Sequence, residues 1–301
     1  MQTTSKILMV RPMQFAYNEE TAENNKFQKK SNLSSVAKKA KKEFDDFVDL
    51  LRENDVEVVV VQDTIEPWTP DSVFPNNWFS SHASGELVLY PMFAGNRRKE
   101  RKPEVMNLLV EKLKHTKVID LTQWEEKNEF LEGTGSMIFD RCNRIAYACR
   151  SSRTSEKVLS DFCSRMNFDS VVFDSVDPNG NLIYHTNVMM EVGTQVAIVC
   201  LESIKNEKER ENLVSRLKST GKTIIDISFE QVTQFAGNML EIKDRSGNPI
   251  MVMSASAHRS LTPEQEKIIT DCNKIISPEL NTIETNGGGS ARCMIAEIFT
   301  K

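Results

Sequence analysis

The sequence predicts an α/β fold in which five strand–strand–helix–strand units pack around one axis. Five segments share a shape, a polar or glycine-rich loop running into an apolar strand: "PNNWFSSHASGELVLYP" (75–91), "EGTGSMIFDRCNRIAYAC" (132–149), "HTNVMMEVGTQVAIVC" (185–200), "AGNMLEIKDRSGNPIMVMS" (236–254) and "GGSARCMIAEIF" (288–299). Aligning their strand starts gives a period of roughly 50–58 residues, which marks a repeat architecture. Helical patterns and short β runs fill the intervals. One such unit cannot bury its own core, whereas five stacked units can. The chain is therefore read as a single domain over residues 1–301, with the loop tips converging near the axis at one end.

Each element follows in order. "KILMVRP" (6–12) is an apolar strand, which closes the ring if it counts toward the fifth unit. Val36, Ala40, Phe44, Phe47 and Leu51 recur three or four apart, so 34–54 is an amphipathic helix. The lysines of "KKSNLSSVAKKAKKE" (29–43) then fall on its solvated face, and the basic run "RRKERK" (97–102) is read the same way. "VEVVVVQD" (56–63), "KVIDL" (117–121), "DSVVFD" (169–174) and "KTIIDI" (222–227) are short strands, and 99–115, 154–167 and 204–220 are helices. The glycines of "EVGTQ" and "DRSGNP" suit hairpin turns by supplying positive φ. A last helix spans 262–276. Thr262 caps it, Pro263 takes the first position, and Gln265 completes a capping box.

The 301 residues are 39% hydrophobic and 27% charged, which is ordinary for a globular protein. No apolar stretch reaches the roughly 18 residues of a membrane span. The apolar segment near the N-terminus is too short for a signal peptide and is interrupted by Pro12, so a cytoplasmic location is expected. A net charge of −5 gives no global field for nucleic acid. Six cysteines without a C-x-x-C pair and only four histidines argue against zinc and against disulfides. No metal or organic cofactor is expected. The partner is a small amino-acid substrate, and homo-oligomerisation is left open.

Convergent loops would gather Asp71, Asn76 and Asn77 from the first unit and Glu132 from the second. His185 and Asn187 come from the third, Asn238 from the fourth and Cys293 from the fifth. A cysteine, a histidine and a glutamate in one cleft suit nucleophilic catalysis, with a thiolate attacking and an imidazole moving protons. Each alone is an ordinary residue of a core or turn; their equivalent placement in the repeat is what points to a site.

The motifs "FLEGTGSM", "YHTNV" and "NGGGSARCM", in this order, resemble the guanidine-modifying enzymes of the pentein fold, an α/β propeller of five ββαβ units. That superfamily includes arginine deiminases, dimethylarginine dimethylaminohydrolases, dihydrolases and amidinotransferases, and the resemblance covers nearly the whole chain. It implies Cys293 as nucleophile, His185 as acid and base, and Glu132 as the carboxylate. "RSSRTS" (150–155) is similar to the deiminase segment whose arginine holds the substrate carboxylate, which implies Arg153.

The departures carry the substrate argument. Arginine deiminases have aspartates where this chain has Asn77 and Asn187, and relatives more often have "EGGD" where it has "EGTG". Carboxylates only accept hydrogen bonds and suit the all-donor guanidinium, whereas carboxamides donate and accept and suit a neutral ureido group. Among the family's branches the chain looks most like the citrulline hydrolases, which implies conversion of citrulline to ornithine, ammonia and carbon dioxide. Asn77, Asn187, Asp71 and Arg153 are the expected substrate contacts. A ureide brings no charge to activate the thiol, so His185 as imidazolium, Arg292 or glycine-loop amides are expected to hold the thiolate. An arginine deiminase or substituted-arginine hydrolase is the alternative, and a non-catalytic pentein binding protein a remote one.

Overall fold

In a computed structural model, residues 1–30, 33–113, 115 and 117–299 are described. In chain order β1 (Lys6–Arg11) and β2 (Glu57–Gln62) flank the helix Leu33–Glu53. β3 (Phe79–Ser81) and β4 (Glu86–Leu89) precede β5 (Lys117–Asp120), and β6 (Ile138–Asp140) and β7 (Ile145–Cys149) precede β8 (Asp169–Phe173). β9 (Met190–Val192), β10 (Val196–Val199) and β11 (Thr223–Asp226) follow, then β12 (Leu240–Lys243), β13 (Pro249–Val252), β14 (Lys274–Ile276) and β15 (Ala296–Glu297).

Among the described residues these strands form five three-stranded sheets, β15-β1-β2, β3-β4-β5, β6-β7-β8, β9-β10-β11 and β12-β13-β14. In every sheet the first two strands are antiparallel, and the third runs parallel to the middle one after a helical connection. The strand expected at 6–12 is thus the middle of the fifth sheet, with Ile7 opposite Glu297 on one side and Val58 on the other.

The apolar stripe of the long helix is buried as its spacing requires: Val36, Ala40, Phe44, Phe47 and Leu51 are all buried against Ile7, Met9 and Val58. Burial of each large side chain contributes about 1.5–3 kcal/mol. The capping box of Thr262 and Gln265 forms, but that helix ends at Thr270. Residues 274–276, expected to continue it, are β14, because Lys274 to Ile276 pair with Ile250 to Val252 and complete the fourth sheet. The helix expected at 99–115 is also broken: Pro103–Asn107 is α-helical and Leu108–Lys112 is a π-helical turn. Both hairpins exist. Gly247 has the positive φ its turn needs (93°), whereas Gly193 does not and instead makes room for the Glu241 side chain. Among the described residues no helix is long and apolar enough to cross a membrane.

Four of the five sheets are entered through a short helical bend. Pro75–Asn77 leads into β3, Gly133–Ser136 into β6, Thr186–Val188 into β9, and the turn at 290–294 into β15. These bends, the residues at their starts and the loop before β12 carry Asn76, Asn77, Glu132, His185, Asn187, Asn238 and Cys293, whereas Asp71 precedes the first bend and Arg153 follows β7.

Candidate active site

A narrow cleft is lined by Asp71, Asn77, Arg97, Arg153, Tyr184, His185, Gly287 to Gly289 and Cys293, and is covered by Thr21, Asn25 and Gln28. Cys293 is 5% exposed and belongs to an apolar cluster with Phe15, Phe74, Ile283 and Met294. Two side-chain amides donate to its sulfur, Asn187 Nδ2 at 3.3 Å and Asn238 Nδ2 at 3.2 Å. Asn238 also donates to the Asn187 carbonyl, locking the two loops together.

His185 Nε2 lies 2.8 Å from Glu132 Oε2. Glu132 also accepts from the Phe93 N–H through Oε1 and from Arg153 at 3.4 Å. Burial penalises this carboxylate, but Arg153, His185 and Arg97 overcome the penalty and hold it well below the usual carboxylate range. Burial is also the main force on His185. With Arg153 and Arg97 it outweighs Glu132 and lowers the imidazole to about 4. At neutral pH the pair is therefore an ionised Glu132 accepting from a neutral imidazole's Nε2–H. That leaves the Nδ1 lone pair free to take a proton.

Of the expected thiolate supports, the His185 imidazolium is disfavoured by burial. Arg292 directs its guanidinium to the Ile295 carbonyl and Glu297. The glycine loop supplies acceptors: the Gly287 and Gly288 carbonyls take hydrogen bonds from Asn25, Gln28 and Tyr184. Its glycines serve the backbone. Gly288 caps the helix Asn281–Gly287 with φ 61°, and a Cβ on Gly287 or Gly289 would meet the Phe74 ring at under 3.0 Å. Asparagines take over the donor role.

Of the expected substrate contacts, Asn187 touches the sulfur, and Asn77, Asp71 and Arg153 line the cleft. Asn76 turns away to Thr134. Asp71 accepts from Asn18 and Thr21 through Oδ2, while Oδ1 is buried without a partner. Burial raises its carboxyl, and Arg97, Asn18, Thr21 and Arg153 hold the rise back. Arg153 is stacked over Tyr184 and donates to Asn24, Thr21 and Glu132, so it ties the segment 18–28 over the cleft.

Sequence reasoning missed Arg97 and the covering segment. The run 97–102 is not a solvated face: Arg97, Glu100 and Lys102 are buried, with Arg97 paired to Glu100 at 2.8 Å and Lys102 to Asp63. The signal was the Arg–Glu spacing of three inside that run, which suits a pair on one turn. Nothing local marks Thr21, Asn25 or Gln28. Among the described residues no group of three His, Cys, Asp or Glu side chains has the arrangement of a metal site.

Within "EGTG", Gly135 leaves room for two site residues. A Cβ on Gly135 would lie 2.4 Å from Asn77 Nδ2 and 2.9 Å from His185 Nδ1 and Cε1. Gly135→Ala should therefore push these two groups apart and lower kcat/KM by about 10–100-fold, with the melting temperature falling far less steeply. Steady-state kinetics beside a thermal melt checks this.

The chain matches the family described as N,N dimethylarginine dimethylhydrolase, eukaryotic, over residues 11–300. It belongs to that family. The dimethylarginine dimethylhydrolase family sits among the guanidino-modifying pentein enzymes, as the motifs implied. No curated protein matches the chain. Among solved structures, the N-terminal domain of ArgZ, a cyanobacterial arginine dihydrolase, bound to substrate superposes with a TM-score of 0.77 at 18% identity, covering 98% of both chains. The Pseudomonas aeruginosa DDAH, a cysteine-to-serine mutant complexed with citrulline, superposes at 0.67 and 16%, covering 99% of this chain and 100% of the other. These likenesses establish the mixed α/β fold of the dimethylarginine dimethylhydrolase family.

Proposed function

We propose that the chain hydrolyses the ureido group of citrulline, giving ornithine, ammonia and carbon dioxide, on a five-unit propeller scaffold. One observation carries the reading. Asn77 Nδ2 and Asn187 Oδ1 are both buried without a hydrogen-bond partner. One is a donor and the other an acceptor: Asn77 Nδ2 lies with the His185 ring against Gly135, and Asn187 Oδ1 belongs to the amide whose Nδ2 donates to Cys293. That pair complements a carbamoyl group, whose oxygen accepts and whose NH₂ donates. A guanidinium would set N–H against N–H at Asn77. Leaving such a buried group unpaired costs about 1–3 kcal/mol, more when it is charged.

In this reading the Cys293 thiolate, held by the Asn187 and Asn238 amides, attacks the ureido carbon. Asn77 Nδ2 donates to the oxygen as negative charge develops there. His185 Nδ1 carries the proton given up by the Cys293 thiol to the departing nitrogen, which leaves as ammonia or as ornithine, and a carbamoyl thioester remains. His185 Nδ1 takes a proton from water, which attacks that carbonyl and returns the thiolate. The resulting carbamic acid loses carbon dioxide. Asp71 Oδ1 is the acceptor left for the substrate's ammonium group. Arg153 meets the carboxylate when it releases Asn24 and Thr21.

The second reading is hydrolysis of arginine or a substituted arginine. Asp71 favours it, being a buried carboxylate in the cleft with one oxygen free. It also gains from the relatives, one of which is an arginine dihydrolase. A mass-spectrometric product screen against citrulline, arginine, agmatine and methylated arginines separates the two. Citrulline should be the preferred substrate, with ornithine as product. A kcat/KM for arginine equal to or above that for citrulline refutes the ureide reading.

A further inference from the structure

We infer that Arg97 is a specificity-determining positioning residue, which fixes the amide of Asn77 so that only its N–H side meets the substrate. The inference rests on the ureide reading above and names what enforces it. Arg97 is 3% exposed, and all its side-chain hydrogen bonds are donations. NH1 donates to Asn77 Oδ1 at 2.7 Å, NH2 to the Phe74 carbonyl at 2.9 Å, and Nε and NH2 to Glu100 at 2.8 and 3.0 Å.

A guanidinium has no acceptor. The Asn77 amide therefore cannot turn over, because the flipped rotamer would set Nδ2 against the Arg97 N–H. Oδ1 is bound to face Arg97, and Nδ2 is bound to face away from it. That atom lies within reach of the His185 ring across Gly135 and has no protein partner. An asparagine free to flip would accept a guanidinium through Oδ1 as readily as a ureide through Nδ2. Arg97 removes the first option. It also bears on any carboxylate placed at this position: an aspartate at 77 would become the ion-pair partner of Arg97 and be less available to a cationic substrate. The backbone supports the geometry, since the bend Pro75–Asn77 is held at its start by the Phe74 carbonyl accepting from the same guanidinium.

The test compares four proteins for kcat/KM on citrulline and on arginine: wild type, Asn77→Asp, Arg97→Met with Glu100→Met, and all three substitutions together. Removing Arg97 and Glu100 as a pair leaves neither charge buried alone. A misfolded fraction lowers both substrates equally and cancels in their ratio. The citrulline-to-arginine ratio should fall roughly 100-fold in the paired variant, because Asn77 can then turn. Asn77→Asp alone should lose citrulline turnover without accepting arginine, and the triple variant should accept it. Where the paired variant yields no folded protein, Arg97→Lys serves: one ammonium cannot satisfy Asn77, Phe74 and Glu100 together, and the ratio should fall again.

A ratio unchanged within about twofold, or Asn77→Asp accepting arginine as well as the triple variant does, overturns the role of Arg97. A wild-type ratio below one refutes the ureide reading itself and is a separate outcome.

Discussion

Cys293→Ala should reduce citrulline turnover by about 10⁴-fold or more while leaving the fold intact. The proposed route gives the attack on carbon to the sulfur, beside which stand two neutral amides, with His185 turned by Glu132 to move protons. Alanine leaves a small cavity beside Phe74 and Met294, and the neighbouring amides lose one acceptor. The stability cost is then about 1–3 kcal/mol, readable as a modest drop in melting temperature. Wild-type protein quenched in acid during turnover should carry a mass increase on the peptide containing Cys293. Measurable hydrolysis by the alanine variant removes the covalent route.

Glu132→Gln should lower kcat by about 10³–10⁴-fold, because Glu132 selects the His185 tautomer. The carboxylate can only accept, so Nε2 must carry the proton and Nδ1 stays free. A glutamine can present its NH₂ to Nε2 and move the proton to Nδ1, which then has nothing to accept with. Arg153 also loses its buried anion, and a cost of about 3–5 kcal/mol should appear in the thermal melt. The pH profile separates the two effects. In the wild type His185 is lowered to about 4, so it is neutral above that value and gains a proton only as pH falls through it. The acid limb of kcat/KM should therefore lie near pH 4, well below the ordinary imidazole value. In the variant kcat should stay depressed across the plateau, since raising pH does not restore the tautomer. An acid limb near 6.5 in the wild type would mean that His185 is not held neutral by its surroundings.

The reach of the sequence followed from where each signal resides. Asn77, Glu132, His185, Asn187, Asn238 and Cys293 precede equivalent strands, so aligning the repeat brought them to one place before any coordinate was known. The long amphipathic helix was legible because its stripe faces one sheet. β14 was not, since "KII" after a capped helix continues the helical pattern, and only pairing with Ile250 to Val252 makes it a strand. Arg97 was hidden by its basic neighbours: Arg98 and Arg101 remain partly open to solvent while Arg97 is enclosed. The cover over the cleft depends on contacts such as Arg153 to Asn24, 129 residues apart, which no local pattern encodes. Asn187 and Asn238 as donors to sulfur needed the geometry, because an amide beside a loop reads first as a turn residue.

The sheet β15-β1-β2 joins two stretches separated by nearly the full length of the sequence. Its first strand follows Cys293 closely, so a pairing of residues about 290 apart in sequence helps bring the thiol to its amide donors. Closing so long a loop is entropically costly. The placing of the thiol thus leans on a pairing between the two ends of the sequence.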